Sequence, residues 1–570
     1  MTEFIHTQNS FANGEIAPEF YLTKDIHGLA HLENMEVLDG GGLTRRPGLT
    51  DIAILSGPAR IIAFDISEQE QFILVFTNLS LAIYSGDTIV TTLIAPWPTS
   101  ALPKIQFAGR GDSLILVHPD ISPYILTKTG NTFNLAKFSF YNTTGSIALH
   151  PMMTYDDMRG VYITVTAGPY GVKSATFTTN TAYWTQSNIG TIVRFGTQTW
   201  KIIEYVSDTI AYASSNDEYT LPITPVTEWQ ESAFDDRHGW PSAITFHQDR
   251  LVFGGTRYIP GGIWMSRVGE HHNFDVGTGL DDEAIITTLL SKERQQICSL
   301  ISSDKLQVLT SCGEWAIKNQ PVTPSSMDIT QHTSVGSATA QSLTPQKIEG
   351  ETVFVSNTLK EIRKLSLDTL GERYNADDLC AFSKHLINQP VDMAYNKATR
   401  QLFVVNNDGT MAVLKQNSIL GISAWAKYTT YGSFASVAVS GADTFVVLVK
   451  NNTYKLAKFS STATADSGTY NIEYCISGVP MNFSGHRPTH LKLRKINLRL
   501  QNTKSAFIND MRVELPNEIY APLHPGFSGD VTMNFLGSEL DTATMPWTLH
   551  GNEPMPITVL SVTVYGQYEI

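Results

Sequence analysis

Short apolar runs broken by polar turns dominate this 570-residue chain. Ile61 to Phe64, Gln71 to Phe76 and Leu79 to Tyr84 set the rhythm. Runs of this length, bounded by turn residues, predict β-strands. The same order of strand, polar turn and strand returns in Ala243 to Gly255, Leu300 to Leu309, Gln401 to Lys415 and Ala435 to Val449. In the third of these, Asp408-Gly409 predicts a tight hairpin, because such a turn needs positive φ. Trp264, Trp315 and Trp425 close three of the units. Blade-sized units like these predict an all-β fold with an irregular β-propeller-like core, stacked β-sandwiches being the competing arrangement. The uneven period does not fit a strict repeat family.

Two stretches change texture. Residues 142–232 are rich in Thr, Ser, Tyr and Gly with weaker strands, and read as an inserted β-domain. Residues 461–570 read as a C-terminal β-domain, so additional sandwich-like domains are expected beside the blades. The division is then an N-terminal arm and docking segment over 1–50, blades over 51–141 and 233–460, and the two extra domains. In the C-terminal stretch Leu491, Leu493, Ile496, Leu498 and Leu500 are apolar, with a change of phase at Arg494-Lys495. Both halves face one core only if a bulge sits there. The best helical candidate, Ser356 to Leu370, serves a strand nearly as well.

Composition narrows the classes. Net charge is −14, the opposite of a nucleic-acid reader, so sequence-specific DNA binding is not expected. The four cysteines, Cys298, Cys312, Cys380 and Cys475, lack zinc-finger spacing and read as reduced core thiols. Met1 to Ser10 carries no apolar run, so no signal peptide is expected. No stretch is long and apolar enough to span a membrane.

Motifs along the whole chain carry a resemblance. Asn9 to Phe20 (NSFANGEIAPEF) is followed by Gly40-Gly41-Gly42 and by Arg45-Arg46-Pro47-Gly48. Further on stand Asp112 to Leu126 with His118-Pro119, Arg237-His238-Gly239-Trp240-Pro241, Arg250 to Thr256 (RLVFGGT), Ile263 to Phe274 with Trp264 and Ser266-Arg267, Thr310 to Trp315 (TSCGEW), and Gly551 to Ser561. In this order they resemble the tail-nozzle, or tail tubular protein B-like, family of short-tailed bacteriophages. The chain is shorter than the largest members, and a similar motif order occurs in related hub proteins.

The resemblance implies a structural, non-enzymatic virion tail protein, made and assembled in the host cytoplasm. It implies a self-assembled ring, hexameric in the expected case, forming a conduit for DNA ejection. The implied partners are the tail adaptor and portal complex, tail fibres and double-stranded DNA passing without sequence recognition. The rival class is a propeller-type glycan-binding or polysaccharide-degrading tail protein, which needs a paired carboxylate cleft.

Chemical motifs add little. There is no P-loop, no HExxH and no nucleophile elbow. His271-His272 with Asp275 is a poor chelate, since neighbouring strand residues point to opposite faces. Asp281-Asp282-Glu283 reads as a solvated turn, and the arginines that a sialidase-like pair of Tyr470 and Glu473 needs are not placed around it. Neither a cofactor, a metal nor a catalytic residue is expected. Candidate contacts to another subunit or the adaptor are Phe11, Ile16, Pro18 and Phe20, whose apolar members need cover, Arg45 and Arg46, and Lys492, Arg494 and Arg499 of the one basic run, which also holds Arg487 and Lys495. Deletion of residues 1–20 is expected to leave a soluble protein that joins the tail poorly.

Overall fold

The computed structural model describes all residues except 22–27, 142–147, 217–221, 318–320, 340–341, 369, 371–372, 482, 484–487, 517–524, 541–544 and 570. Arg487 lies outside the described residues. The fold is all-β: the helical segments among the described residues are 3-10 turns of three to six residues. Residues 1–92, 343–366 and 376–570 form one compact unit, and residues 93–342 with 367–375 form a second.

The recurring unit is a run of four strands that follow one another in sequence; the run at 390–428 continues through Leu29–Glu33 into a nine-stranded sheet, and the one at 433–460 holds three consecutive strands. But for boundary residues, the first unit holds such runs at 60–94, 346–378, 390–428 and 433–460, and the second holds them at 106–137, 243–288 and 297–333. Within the first unit the opening strands of neighbouring sheets lie together: Gln346–Ile348 with Pro390–Asn396, Pro390–Asn396 with Ser433–Ser440, and Ser433–Ser440 with Arg60–Asp65. Within the second, Gln106–Arg110 lies with Ala243–His247, and Ala243–His247 with Ile297–Ser302. Faces between sheets are filled by alternate apolar side chains. Ile61, Ile73 and Val75 meet Ala438, Phe445 and Val447 in the first unit, while Val252, Ile263 and Met265 meet Leu300, Val308 and Trp315 in the second. Each such side chain contributes about 1.5–3 kcal/mol by burial. This is a β-propeller-like core.

The turns follow the sequence. Gly409 takes φ +81° between Gln401–Asn406 and Met411–Asn417. The hairpin joining Ala243–His247 to Arg250–Gly254 turns on Gln248 and Asp249, both left-handed at φ 47° and 58° without glycine. Residues Ile362–Leu367 are a strand, which resolves the ambiguous helical candidate. The sheet 433–460 takes its fourth strand from the N-terminal part of the chain, with Gly48–Leu55 antiparallel to Thr453–Ser460.

Two further β-regions are built on this core. In the second unit, seven strands between Met152 and Ser232 form one sheet around Phe177, Trp184, Trp200 and Trp229. In the first, Thr2–Gln8, Met35–Val37, Leu43–Arg45, His490–Thr503, Phe527–Leu540 and Thr558–Glu569 form a six-stranded sheet. It shares a sandwich-like core with Leu29–Glu33, Tyr474–Gly478 and Thr548–Gly551. The strand His490–Thr503 has its register shift between Leu493 and Lys495 against both neighbours. Leu491 and Leu493 before the bulge, and Ile496, Leu498 and Leu500 after it, are all buried in that core. Cys298 and Cys380 are buried thiols, and all four cysteines are free.

Candidate functional site

The sequence-named residues of the N-terminal arm turn inward. Thr2–Gln8 pairs antiparallel with Thr558–Glu569, and Gly14 bridges to Trp425. Gly14 sits at φ +61° against the Trp425 backbone, where no Cβ fits. Phe11 and Ile16 are 0% and 1% exposed. The cover they need therefore comes from this same chain. Phe20 is half-buried with its ring 4.9 Å from Phe382, edge to face, and Pro18 is exposed. Deletion of residues 1–20 would remove a strand and the core side chains of Phe11 and Ile16.

Arg46 is the centre of this joint. Its guanidinium forms a two-point ion pair with Asp466 at 3.0 and 2.7 Å. Its Nε donates to Asn34 Oδ1 at 2.8 Å, Nη1 to Pro47 O at 2.9 Å and Nη2 to Thr429 O at 2.7 Å. Five N–H groups thus meet five partners in a fully buried place, the condition under which a buried charge is tolerated. Arg45 donates to the carbonyls of Met555, Ile472 and Glu553. Both arginines are committed within the chain and offer no free cationic surface.

Beside them lies an acid–histidine chain. Glu15 is buried, and its carboxylate meets His385 Nε2 at 2.8 Å, His31 Nδ1 at 3.4 Å and the Leu32 N–H at 2.7 Å. Burial pushes Glu15 up, but the histidine hydrogen bonds outweigh it and hold the carboxyl at about 2. His31, bonded to Glu15 and then Glu33, is raised to about 9.

The basic strand faces outward. Arg494 pairs with Glu3 at 3.0 Å, Arg499 holds Asp530 at 2.9 and 3.1 Å, and the Lys495 ammonium lies 4.2 Å from the Tyr565 ring centre. The Arg494 and Arg499 side chains are 53% and 60% exposed, so these pairs contribute little. Lys492 is half-buried on the same outer face.

Residues named for possible chemistry are dispersed. His272 stacks on Phe138, while His271 approaches Asp249 at 3.5 Å. Asp275 pairs with Arg194 and Asp282 with Arg267, and Glu283 takes the N–H groups of its own loop. Tyr470 stacks on Tyr431 at 4.0 Å beneath Lys450. A cleft of about 450 Å³ in the first unit is lined by Glu33, Glu473, Tyr474, Phe507 and His550.

In the second unit the structure assembles a cluster that sequence reasoning missed. The seven-stranded sheet delivers Glu231 on Gln230–Ser232, and the chain then turns through Asp235–Gly239 toward Ala243–His247. Glu231 and His238 are 0% exposed and Asp235 4%. Asp235 accepts from the His238 backbone N–H at 2.6 Å, from Thr191 Oγ1 at 3.0 Å and from His238 Nδ1 at 3.0 Å. Tyr183 donates to Glu231 Oε2 at 3.0 Å, the Tyr155 ring stacks on His238 at 3.9 Å, and Arg237 pairs with Asp157. Burial, then Asp235, pushes the Glu231 carboxyl up to about 8. The available signal was an acid at 231, an acid at 235 and a histidine at 238, hidden because the turn's motif reads as backbone geometry.

Several motif residues hold joints. The Trp240 N–H donates to Pro119 O at 2.9 Å. Buried Arg250 donates to the carbonyls of Ser266, Glu283 and Asp281 at 2.6–2.8 Å. Trp315 Nε1 donates to Gln295 at 2.6 Å.

No family model matches the chain, and no curated protein matches it. Among solved structures it is similar to BamB from Moraxella catarrhalis, at 9% identity over 72% of this chain and 98% of that one with a TM-score of 0.34. It is also similar to the RRP9 WD40 repeats, at 8% identity, 73% and 100% coverage and TM-score 0.36. The C-terminal WD40 domain of Sif2 gives 12%, 73% and 99%, and 0.35. The likeness is remote at every one of these values, and the propeller-like architecture stands on the strand pairings themselves.

Proposed function

We propose that this propeller-type chain is a structural component of a short-tailed phage tail, a subunit of the nozzle through which DNA leaves. The observation that carries the reading is the work done by the resembling motifs. Arg46, Pro119 with Trp240, Arg250 and Trp315 hold the joints of arm and blades. Residues spent in this way build a rigid wall, and an excess of carboxylates keeps phosphate from adhering to it. In this reading the protein is not an enzyme. It assembles as a ring of identical subunits, docks on the adaptor and portal complex, and supports fibres. Pro18, Lys492 and Arg494 remain candidates for contacts between subunits, being at least partly accessible.

The test is electron microscopy and native mass spectrometry of the purified protein, alone and mixed with adaptor rings of the same phage. Rings of one stoichiometry are expected in at least the mixture. Monomers in both would overturn the reading. Charge reversal at Lys492 and Arg494 together is expected to weaken docking; normal docking with altered DNA ejection would place the strand against DNA instead.

The cleft with Glu33, Glu473, Tyr474 and Phe507 favours a second reading, a propeller-type glycan-binding or glycan-degrading tail protein. Calorimetry with host surface oligosaccharides tests it. Binding abolished by Glu33→Gln and Glu473→Gln, without ring formation, would replace the first reading.

A further inference from the structure

The buried turn Glu231–Gly239 has a bonding deficit that its own residues do not fill. Glu231 Oε1, His238 Nε2, Arg237 Nη1 and Tyr155 Oη are buried and have no hydrogen-bond partner. An unmet buried polar group costs about 1–3 kcal/mol. The nearest approaches are ion-pair distances only, with Glu231 Oε2 3.8 Å from both His238 Nε2 and Arg237 Nη1.

Charge shows the same deficit. Glu231 and Asp157 approach one guanidinium, Arg237, while Asp235 faces His238. The three carboxyl groups outnumber the one guanidinium.

We propose that Glu231, Asp235 and His238 form a binding site for a divalent transition metal of the zinc class. One donor atom from each lies within 4.8 Å of the others. Asp235 accepts from His238 Nδ1, which leaves the Nε2 lone pair of the neutral ring turned toward Glu231. This is the carboxylate–histidine arrangement that fixes a metal-binding imidazole. The His238 Nε2 and a Glu231 carboxylate oxygen, 3.8 Å apart, suit an ion that bonds each at about 2.0–2.2 Å. Glu231 and His238 supply ligands through atoms that are free, Asp235 is the positioning carboxylate, and water completes the coordination. The bound ion offsets that excess of carboxyl groups. It also ties the last strand of the seven-stranded sheet to the turn that enters Ala243–His247. This inference is independent of the tail reading.

The purified full chain, loaded with Zn2+ and dialysed against metal-free buffer, is expected to retain one zinc per chain by elemental analysis. Its thermal midpoint should rise with Zn2+ and fall with a chelator. Glu231→Gln and His238→Gln should each abolish retention, and Asp235→Asn should weaken it about 10–100-fold. His271→Gln should change nothing. Should the buried variants fail to fold, Co2+ added to the wild-type chain decides, because a low-symmetry site gives intense visible absorption that excess Zn2+ erases. No retained metal with no midpoint shift, no such absorption, or retention that survives both ligand substitutions would overturn the proposal.

Discussion

The Arg46 joint in the first unit and the Glu231 turn in the second are both buried, charged and built from sequence motifs, yet one is complete and the other is not. At Arg46 every guanidinium donor has an acceptor, and Asp466 returns the charge at two points. At Glu231 four polar atoms have no partner and the carboxylates outnumber the cations. A network of the first kind fixes one geometry and resists change. One of the second kind is stable only at a cost or with something added, and low local dielectric enlarges both effects. Buried polar residues near motifs therefore divide by whether their bonding is closed.

The comparison breaks most visibly at Arg46. Arg46→Ala strands Asp466 and is expected to cost about 3–5 kcal/mol in the first unit, read as a lower urea midpoint. The double variant Arg46→Met with Asp466→Leu should recover most of that loss. If the single substitution is silent, closure of the network is not what stabilises the joint.

A smaller effect is expected at Tyr183, whose hydroxyl donates to the Glu231 carboxylate at 3.0 Å. Tyr183→Phe should cost about 1–3 kcal/mol in metal-free protein, measured by thermal unfolding, since it opens the network further. A neutral result would mean that the deficit is already met by other means.

The pH dependence sharpens the contrast within the first unit. His31 is raised from 6.5 to about 9, so its contribution is fully present below 6.5 and is lost as pH rises through 9. Glu15 is lowered from 4.5 to about 2, so its contribution is present above 4.5 and is lost as pH falls toward 2. Hydrogen exchange of Leu29–Glu33 should quicken in both windows, and Glu15→Gln should flatten both. An unchanged alkaline limb in that variant would remove Glu15 from the account.

The smallest effect is expected where charge is only superficial. Arg499→Ala breaks a two-point pair with Asp530 but should cost below about 1 kcal/mol in a denaturation midpoint, and less at high salt. A larger loss would show that closed bonding matters even in the open.

What the sequence revealed follows the same division between backbone and side-chain logic. The strand pattern, the Asp408-Gly409 turn and the bulge at Arg494-Lys495 were legible because each is set by neighbours in sequence. The all-β, propeller-like class follows from those local signals. The fate of Arg45 and Arg46 was not legible, because their partners lie about four hundred to five hundred positions away, such as Asp466 and Glu553. The Glu231 cluster was missed for a different reason. Its three residues are close in sequence, but what marks them is burial and missing partners, and neither is written in residue type. The glycine-free turn at Gln248-Asp249 was visible only as a polar interruption, since its left-handed φ values run against the usual choice of residue.

The strand Gly48–Leu55 has a consequence in time. Its hydrogen-bonding edge waits for Thr453–Ser460, and Lys455 follows Asp51 by 404 positions. A ribosome adding about 5–20 residues each second needs about 20–80 s to deliver that partner. Thr2–Gln8 waits longer still, since Thr7 meets Thr563 across 556 positions. The first unit therefore cannot close until Thr558–Glu569 has been made. Any product cut short before Thr558–Glu569 leaves Thr2–Gln8 without its partner strand. Such a fragment is distinguishable from a chain that carries Thr558–Glu569 before any assembly begins, so the paired arm reports that this strand has been made.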